Sequence, residues 1–220
     1  MEDTTIEDVL KTFEDFYANK DYEKALLTLE THGEAFSPEV LHYNLGTVYA
    51  QMENLPLARF HLIKAQNLRL TKDVVQQNLN IVEEKLDIKR LESATSAQDH
   101  FVQISSTLSG GILNSLGLVF LIIGILMLKQ KRTAVRMMIF IFLVSLPWAF
   151  NFCVSSWPRA IVLESQEVRE GPSQIFSPVA ELPAGVLIIV EEHGNWRKIT
   201  YPNRFRGWIK SQSIKELEQK

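Results

Sequence analysis

LSGGILNSLGLVFLIIGILML (residues 108–128) and MMIFIFLVSLPWAFNFC (residues 137–153) decide how this chain divides. As helices rising about 1.5 Å per residue, both are close to the length that crosses roughly 30 Å of hydrocarbon. Between them stands Lys129-Gln130-Lys131-Arg132, with Arg136 just beyond, and no acidic residue occurs from 108 to 153. The pattern predicts a two-helix transmembrane hairpin. Core helices of a soluble protein are the competing reading, but few residues would remain to form a shell around them. The cationic turn places the short loop in the cytoplasm and both flanking segments outside, by the positive-inside rule. Trp148, Asn151 and Trp157 then fall at or near the outer interface. Gly110, Gly117 and Gly124 recur every seven residues, so they share a face on which the second helix can approach closely. Pro147 is expected to kink the second span. Without an acidic residue to bind or relay a cation, the hairpin reads as an anchor and not as a transport path.

Outside the hairpin the composition changes twice. Residues 1–107 carry 18 acidic against 10 basic residues, and residues 154–220 carry 8 against 9, within a chain of 220 residues and net charge -3. No concentrated Lys/Arg surface exists to neutralise phosphates, so nucleic acid is not an expected partner. The single cysteine, Cys153, permits neither an internal disulfide nor a thiolate metal site. The start, Met1-Glu2-Asp3-Thr4-Thr5, has no cationic segment ahead of an apolar one, which stands against export of the first 107 residues unless a leader has been lost.

From Ser37 the chain runs His42-Tyr43-Asn44-Leu45-Gly46-Thr47-Val48-Tyr49, then Ala58, Leu62 and Ala65, with Met52-Glu53-Asn54 as a turn. This resembles the tetratricopeptide repeat, a helix-turn-helix unit of about 34 residues. Gly46 and Ala58 allow close helix approach, while Tyr49 and Leu62 fill the remaining volume. Upstream, Asp21-Tyr22-Glu23-Lys24-Ala25 resembles the second-helix entry of another repeat. Downstream, Asn78-Leu79 starts a third first-helix running towards Arg90. Residues 1–92 are therefore read as about three repeats of an all-α solenoid and 93–107 as a linker. The resemblance implies a concave groove for a peptide or partner helix, facing Lys11 and Glu14, then Tyr43, Asn44, Thr47 and Gln51, then Gln77 and Asn78. Asn44 and Asn78 resemble the asparagines that clamp a peptide main chain in related repeats. Lys11 would supply a cation for a carboxylate.

After Pro158 the pattern becomes short alternating strands, Ala160–Leu163, Val186–Glu191, Trp196–Thr200 and Gly207–Ile209, separated by Gly, Pro and Asn. Glu167-Val168-Arg169-Glu170-Gly171-Pro172-Ser173, Leu182-Pro183-Ala184-Gly185, Gly194-Asn195-Trp196 and Arg206-Gly207-Trp208-Ile209 resemble, in order, the motifs of bacterial SH3-like domains. Residues 154–220 are thus expected to form a small all-β barrel with Trp196, Tyr201 and Trp208 as a contact surface. Such domains bind cell-wall peptide or a protein neighbour.

No HExxH, GxSxG, GxxxxGK[ST] or GxGxxG occurs. The five histidines (His32, His42, His61, His100 and His193) lack close metal-ligand spacing, and Glu191-Glu192 would point to opposite faces of a strand. The expectation is a non-enzymatic protein with no cofactor and no metal. Repeats, a membrane hairpin and a bacterial SH3-like domain, in that order, resemble the BatE-like proteins of the Bacteroides aerotolerance (Bat) group. That resemblance implies an inner-membrane stress complex with von Willebrand A-domain membrane proteins and a MoxR-type AAA+ ATPase, both soluble domains being periplasmic. The alternative is an anchor or envelope sensor gripping peptidoglycan through the SH3-like domain.

Overall fold

A computed structural model describes residues 6–68, 70, 72–108, 110–128 and 134–217. The N-terminal part is helical and the C-terminal part is an antiparallel sheet. The helices are α1 (Ile6–Ala18), α2 (Tyr22–Thr31), α3 (Pro38–Gln51), α4 (Leu55–Asn67), α5 (Lys72–Lys85) and α6 (Ile88–Leu91). One turn recurs between them. Lys20, Glu53 and Asp87 take left-handed φ values of 62°, 58° and 55°, and the next residue in the first two turns, Asp21 or Asn54, accepts a bond from the backbone N–H three positions on. A left-handed residue reverses the chain and the capping side chain starts the following helix. α5 begins at Lys72, ahead of the expected Asn78, and stops at Lys85 instead of running to Arg90, because Asp87 breaks it. Its partner α6 is only four residues long.

Gly46 is where α3 meets α4. A Cβ there would stand 2.7 Å from Leu62 Cγ and 3.1 Å from the Leu62 backbone nitrogen, so glycine is what permits the approach. Val9, Phe13, Ala25, Leu29, Phe36, Leu45 and Val48 fill the first helical core.

Seven strands follow: β1 (Arg159–Val162), β2 (Gln166–Arg169), β3 (Pro178–Leu182), β4 (Leu187–His193), β5 (Trp196–Tyr201), β6 (Gly207–Lys210) and β7 (Ile214–Leu217), ordered β3-β2-β6-β5-β4-β1-β7 with every pairing antiparallel. The expected strands correspond to β1, β4, β5 and β6. The other three escaped the pattern because each buries few side chains: Val168 in β2, Leu182 in β3 and Leu217 in β7.

Residues Met1–Ser93 and Arg159–Leu217 form one compact unit. Ile88 and Leu91 of α6 lie in the barrel core beside Val162, Ile188 and Phe205, while Ile161 and Leu217 of the barrel complete the α4–α5 core around Phe60 and Val75. Arg59 of α4, 3% exposed, ties the halves together. Its guanidinium donates to Glu83 Oε1 (2.8 and 3.1 Å), to both Glu92 carboxylate oxygens (2.5 and 3.1 Å) and to the Gly185 carbonyl (2.7 Å). Glu92 Oε1 in turn accepts the Leu187 backbone N–H at 2.6 Å. Burial opposes the charge on Arg59, and Glu92 and Glu83 override it, holding the group above its ordinary pKa.

Ala94–Pro158 belong to a second unit. The expected linker is largely helix: α7 spans Ala97–Thr107. Ser96 and Asp99 form a reciprocal capping box, and Asp99 Oδ2 also accepts from the Thr95 N–H and hydroxyl, which starts a helix despite modest apolar content. α8 (Gly110–Leu128) and α9 (Ala134–Ser155) pack together, with Gly117 facing the Trp148 ring, where a Cβ would be 3.2 Å away. α9 continues as one helix through Pro147. Among the described residues, Met138–Ser155 is long and apolar enough to cross a membrane, with mean hydropathy 1.9; Gly111–Ile123 passes the same test only when joined to Ala97–Ser106 across an 85° bend. The cationic turn 129–132 lies outside the described residues, as does the side chain of Arg136.

Candidate functional site: a helical cleft and an aromatic sheet face

α1, α3 and α5 line a cleft of about 160 Å³. Tyr17, Gln51 and Lys85, 34 residues apart in turn, all border it, as do Thr47 and Asn78. Gln51 Oε1 accepts from Tyr22 Oη at 3.4 Å, and burial holds the Tyr17 hydroxyl above its ordinary pKa. Lys85 Nζ meets Glu53 Oε1 at 2.8 Å on the exposed rim. Buried Val82 and exposed Ile81 add apolar carbon to the lining. Amide, hydroxyl and ammonium groups over apolar carbon suit an extended peptide, whose main chain needs both donors and acceptors.

Of the residues expected in the groove, Thr47, Gln51 and Asn78 line the cleft. Asn78 also donates to Tyr43 Oη at 3.1 Å, so this pair ties α5 to α3. Asn44 is half-buried, and its carbonyl accepts from Thr47 Oγ1 at 2.9 Å. Lys11 and Glu14 are exposed on α1 and Gln77 is exposed on α5, none of them lining the cleft. Its cation is Lys85, not Lys11. A constant 34-residue step through Gln51 reaches Tyr17 and Lys85, whereas Lys11 lies 33 residues before Asn44.

On the barrel, period-two geometry sorts the aromatic residues. Lys198 opposes both Glu191 and Trp208, and His193 opposes Trp196. Trp196, Lys198 and Trp208 therefore share one half-buried face, with the His193 and Trp208 rings edge to face at 4.9 Å. Tyr201 does not join them. Past the register shift between Ile189 and Val190 it pairs with Ile189 and is only 5% exposed, so it offers no contact surface. The surface to test is His193, Trp196, Lys198 and Trp208.

A small seven-stranded antiparallel sheet thus carries this half-buried aromatic face. The bacterial SH3 domain family matches residues 164–216. That span omits β1, which pairs with β4 and β7 and carries Ile161 into the helical core. Domains of this kind generally bind proteins or peptidoglycan. None of the curated proteins and none of the solved structures matches the chain.

Proposed function

We propose that this protein is a non-enzymatic, membrane-anchored adaptor. Its paired helices act as a tetratricopeptide-type solenoid, holding a peptide or helix of a partner protein in the α1–α3–α5 cleft. The observation carrying this reading is the convergence of Tyr17, Thr47, Gln51, Asn78 and Lys85 on one cleft from α1, α3 and α5, with Tyr17, Gln51 and Lys85 spaced by 34 residues. A Bat-type stress complex with A-domain membrane proteins and a MoxR-type AAA+ ATPase is the setting we assign, on the order of repeats, apolar helices and bacterial SH3 domain.

The anchor is a two-pass hairpin. Residues up to Ser93 and those after Arg159 share core clusters and the Arg59 network. They must lie on one side of any membrane, so the intervening chain crosses an even number of times, and α8 and α9 supply two helices. With the cationic turn cytoplasmic, the shared unit is periplasmic.

The test is co-purification of the tagged full chain from mild detergent, wild type against a Gln51→Glu/Lys85→Glu pair. Both residues are exposed, so the fold tolerates the change, while a carboxylate-bearing peptide is repelled from the cleft. A-domain proteins or the ATPase retained by wild type and lost at least tenfold by the variant support the reading. Absence of any stoichiometric partner overturns it. A second reading, peptidoglycan binding, is favoured by the Trp196–Trp208 face; the full chain sedimenting with isolated sacculi, and releasing on Trp208→Ala, would establish it.

A further inference from the structure

α7 is inverted for a helix in water. Ala97, Phe101, Ile104 and Leu108 recur at i, i+4, i+7 and i+11 and so form one stripe, yet Phe101 is 54% and Ile104 62% exposed. The buried positions are Val102 and the polar pair Asp99 and Ser105. Phe101 stands edge-on to Phe150 of α9 and to Trp157, just past that helix, with ring centroids 6.3 and 6.4 Å away. Its stripe is thus continuous with the outward apolar surface of α9, where Phe142, Phe152 and Met138 are 65%, 76% and 71% exposed. α7 also meets α8 at 85°, and a helix perpendicular to one that crosses a bilayer lies along its plane.

We propose that α7 is an interfacial helix, embedded at the headgroup boundary with Phe101 and Ile104 among the lipid chains and Ser106 towards water. It has no Lys or Arg and one acid, the buried Asp99, so insertion is driven by apolar area and is indifferent to anionic lipid. The ligand is the bilayer surface, and the capping box around Ser96 is what starts the helix at that surface. The inference rests on the reading of α8 and α9 as membrane spans.

The experiment places nitroxide labels on the full chain, in a Cys153→Ser background, at Ile104→Cys, Ser106→Cys or Phe142→Cys, reconstituted in phosphatidylcholine vesicles with and without phosphatidylglycerol. Relaxation by oxygen, which enters lipid, is compared with relaxation by a water-soluble nickel chelate. The expected result is an oxygen-to-nickel ratio several-fold higher at position 104 than at 106, a position 142 label deeper than both, and no effect of phosphatidylglycerol. Positions 104 and 106 equally open to nickel, with 142 lipid-buried, overturn the interfacial helix alone. A nickel-accessible 142 overturns the span and with it the inference. Dependence of the position 104 signal on phosphatidylglycerol overturns the claim that apolar area drives insertion.

Discussion

Arg59 and His61 are two residues apart on α4, both buried, and they carry opposite electrostatic problems. Arg59 is charged and satisfied by two carboxylates and a carbonyl. Arg59→Ala removes the cation that the partly buried Glu83 and Glu92 share, so the expected loss is about 3–5 kcal/mol, the range for breaking a buried ion pair. A thermal unfolding series on the detergent-solubilised chain reads it, and adding Glu83→Gln and Glu92→Gln should return part of the stability. His61 is kept neutral. Its Nδ1 lies 2.9 Å from His42 Nδ1, its ring stacks on Tyr49, and Lys215 of β7 and Lys64 face it. Burial, then Lys215, His42 and Lys64, lower its pKa from 6.5 to about 3; burial and the same two lysines lower that of His42. The unfolded chain therefore binds protons below pH 6.5 that the folded chain refuses. Stability is complete above pH 6.5 and falls towards pH 3, by about 2 kcal/mol already at pH 5 for His61 alone. His61→Leu should flatten the pH 7 to pH 5 unfolding series; an unchanged slope would show that the pair does not govern it.

At the scale of elements, the legible features were those whose reason is local. Gly46 and Ala58 announced the α3–α4 contact because only small residues let two helix backbones approach, and the structure places Leu62 against Gly46. The expected consequence is graded. Gly46→Ala forces a Cβ to 2.7 Å from Leu62 and against its backbone nitrogen, while Gly33→Ala meets only the flexible end of Leu41 at 3.2 Å. Melting temperatures should fall for the first by the equivalent of about 1–3 kcal/mol and much less for the second. β2, β3 and β7 were illegible because short edge or bulged strands bury too few side chains to show alternation, and β2 carries a register shift between Val168 and Arg169. α7 was hidden for a different reason. Polar residues fill most of the positions between its apolar ones, so the segment shows no sustained apolar run and reads as a linker. Tyr201 departs from the expected surface because it is buried beyond a register shift in the β4–β5 pairing, and neither feature is visible in the sequence.

The whole molecule shows what no local pattern carried. Ile88 and Leu91 stand on the four-residue helix α6, yet they serve the barrel core; Ile161 and Leu217 bracket the matched SH3 span, yet they serve the helical core. These partners are separated by dozens of residues including the whole apolar region, so periodicity cannot pair them. Their consequence is topological. In a Cys153→Ser background, single cysteines at exposed Gln77 and exposed Gln212 sit on the two halves of one unit, and neither is drawn into the Arg59 network. An impermeant maleimide applied to spheroplasts should label both or neither, and lysis should change both together. With the cationic turn cytoplasmic, the expected result is that both react before lysis. Labelling of one position alone would mean that the two halves lie on opposite sides, which the shared cores and the Arg59–Gly185 bond forbid, and the even-crossing anchor would fall with it.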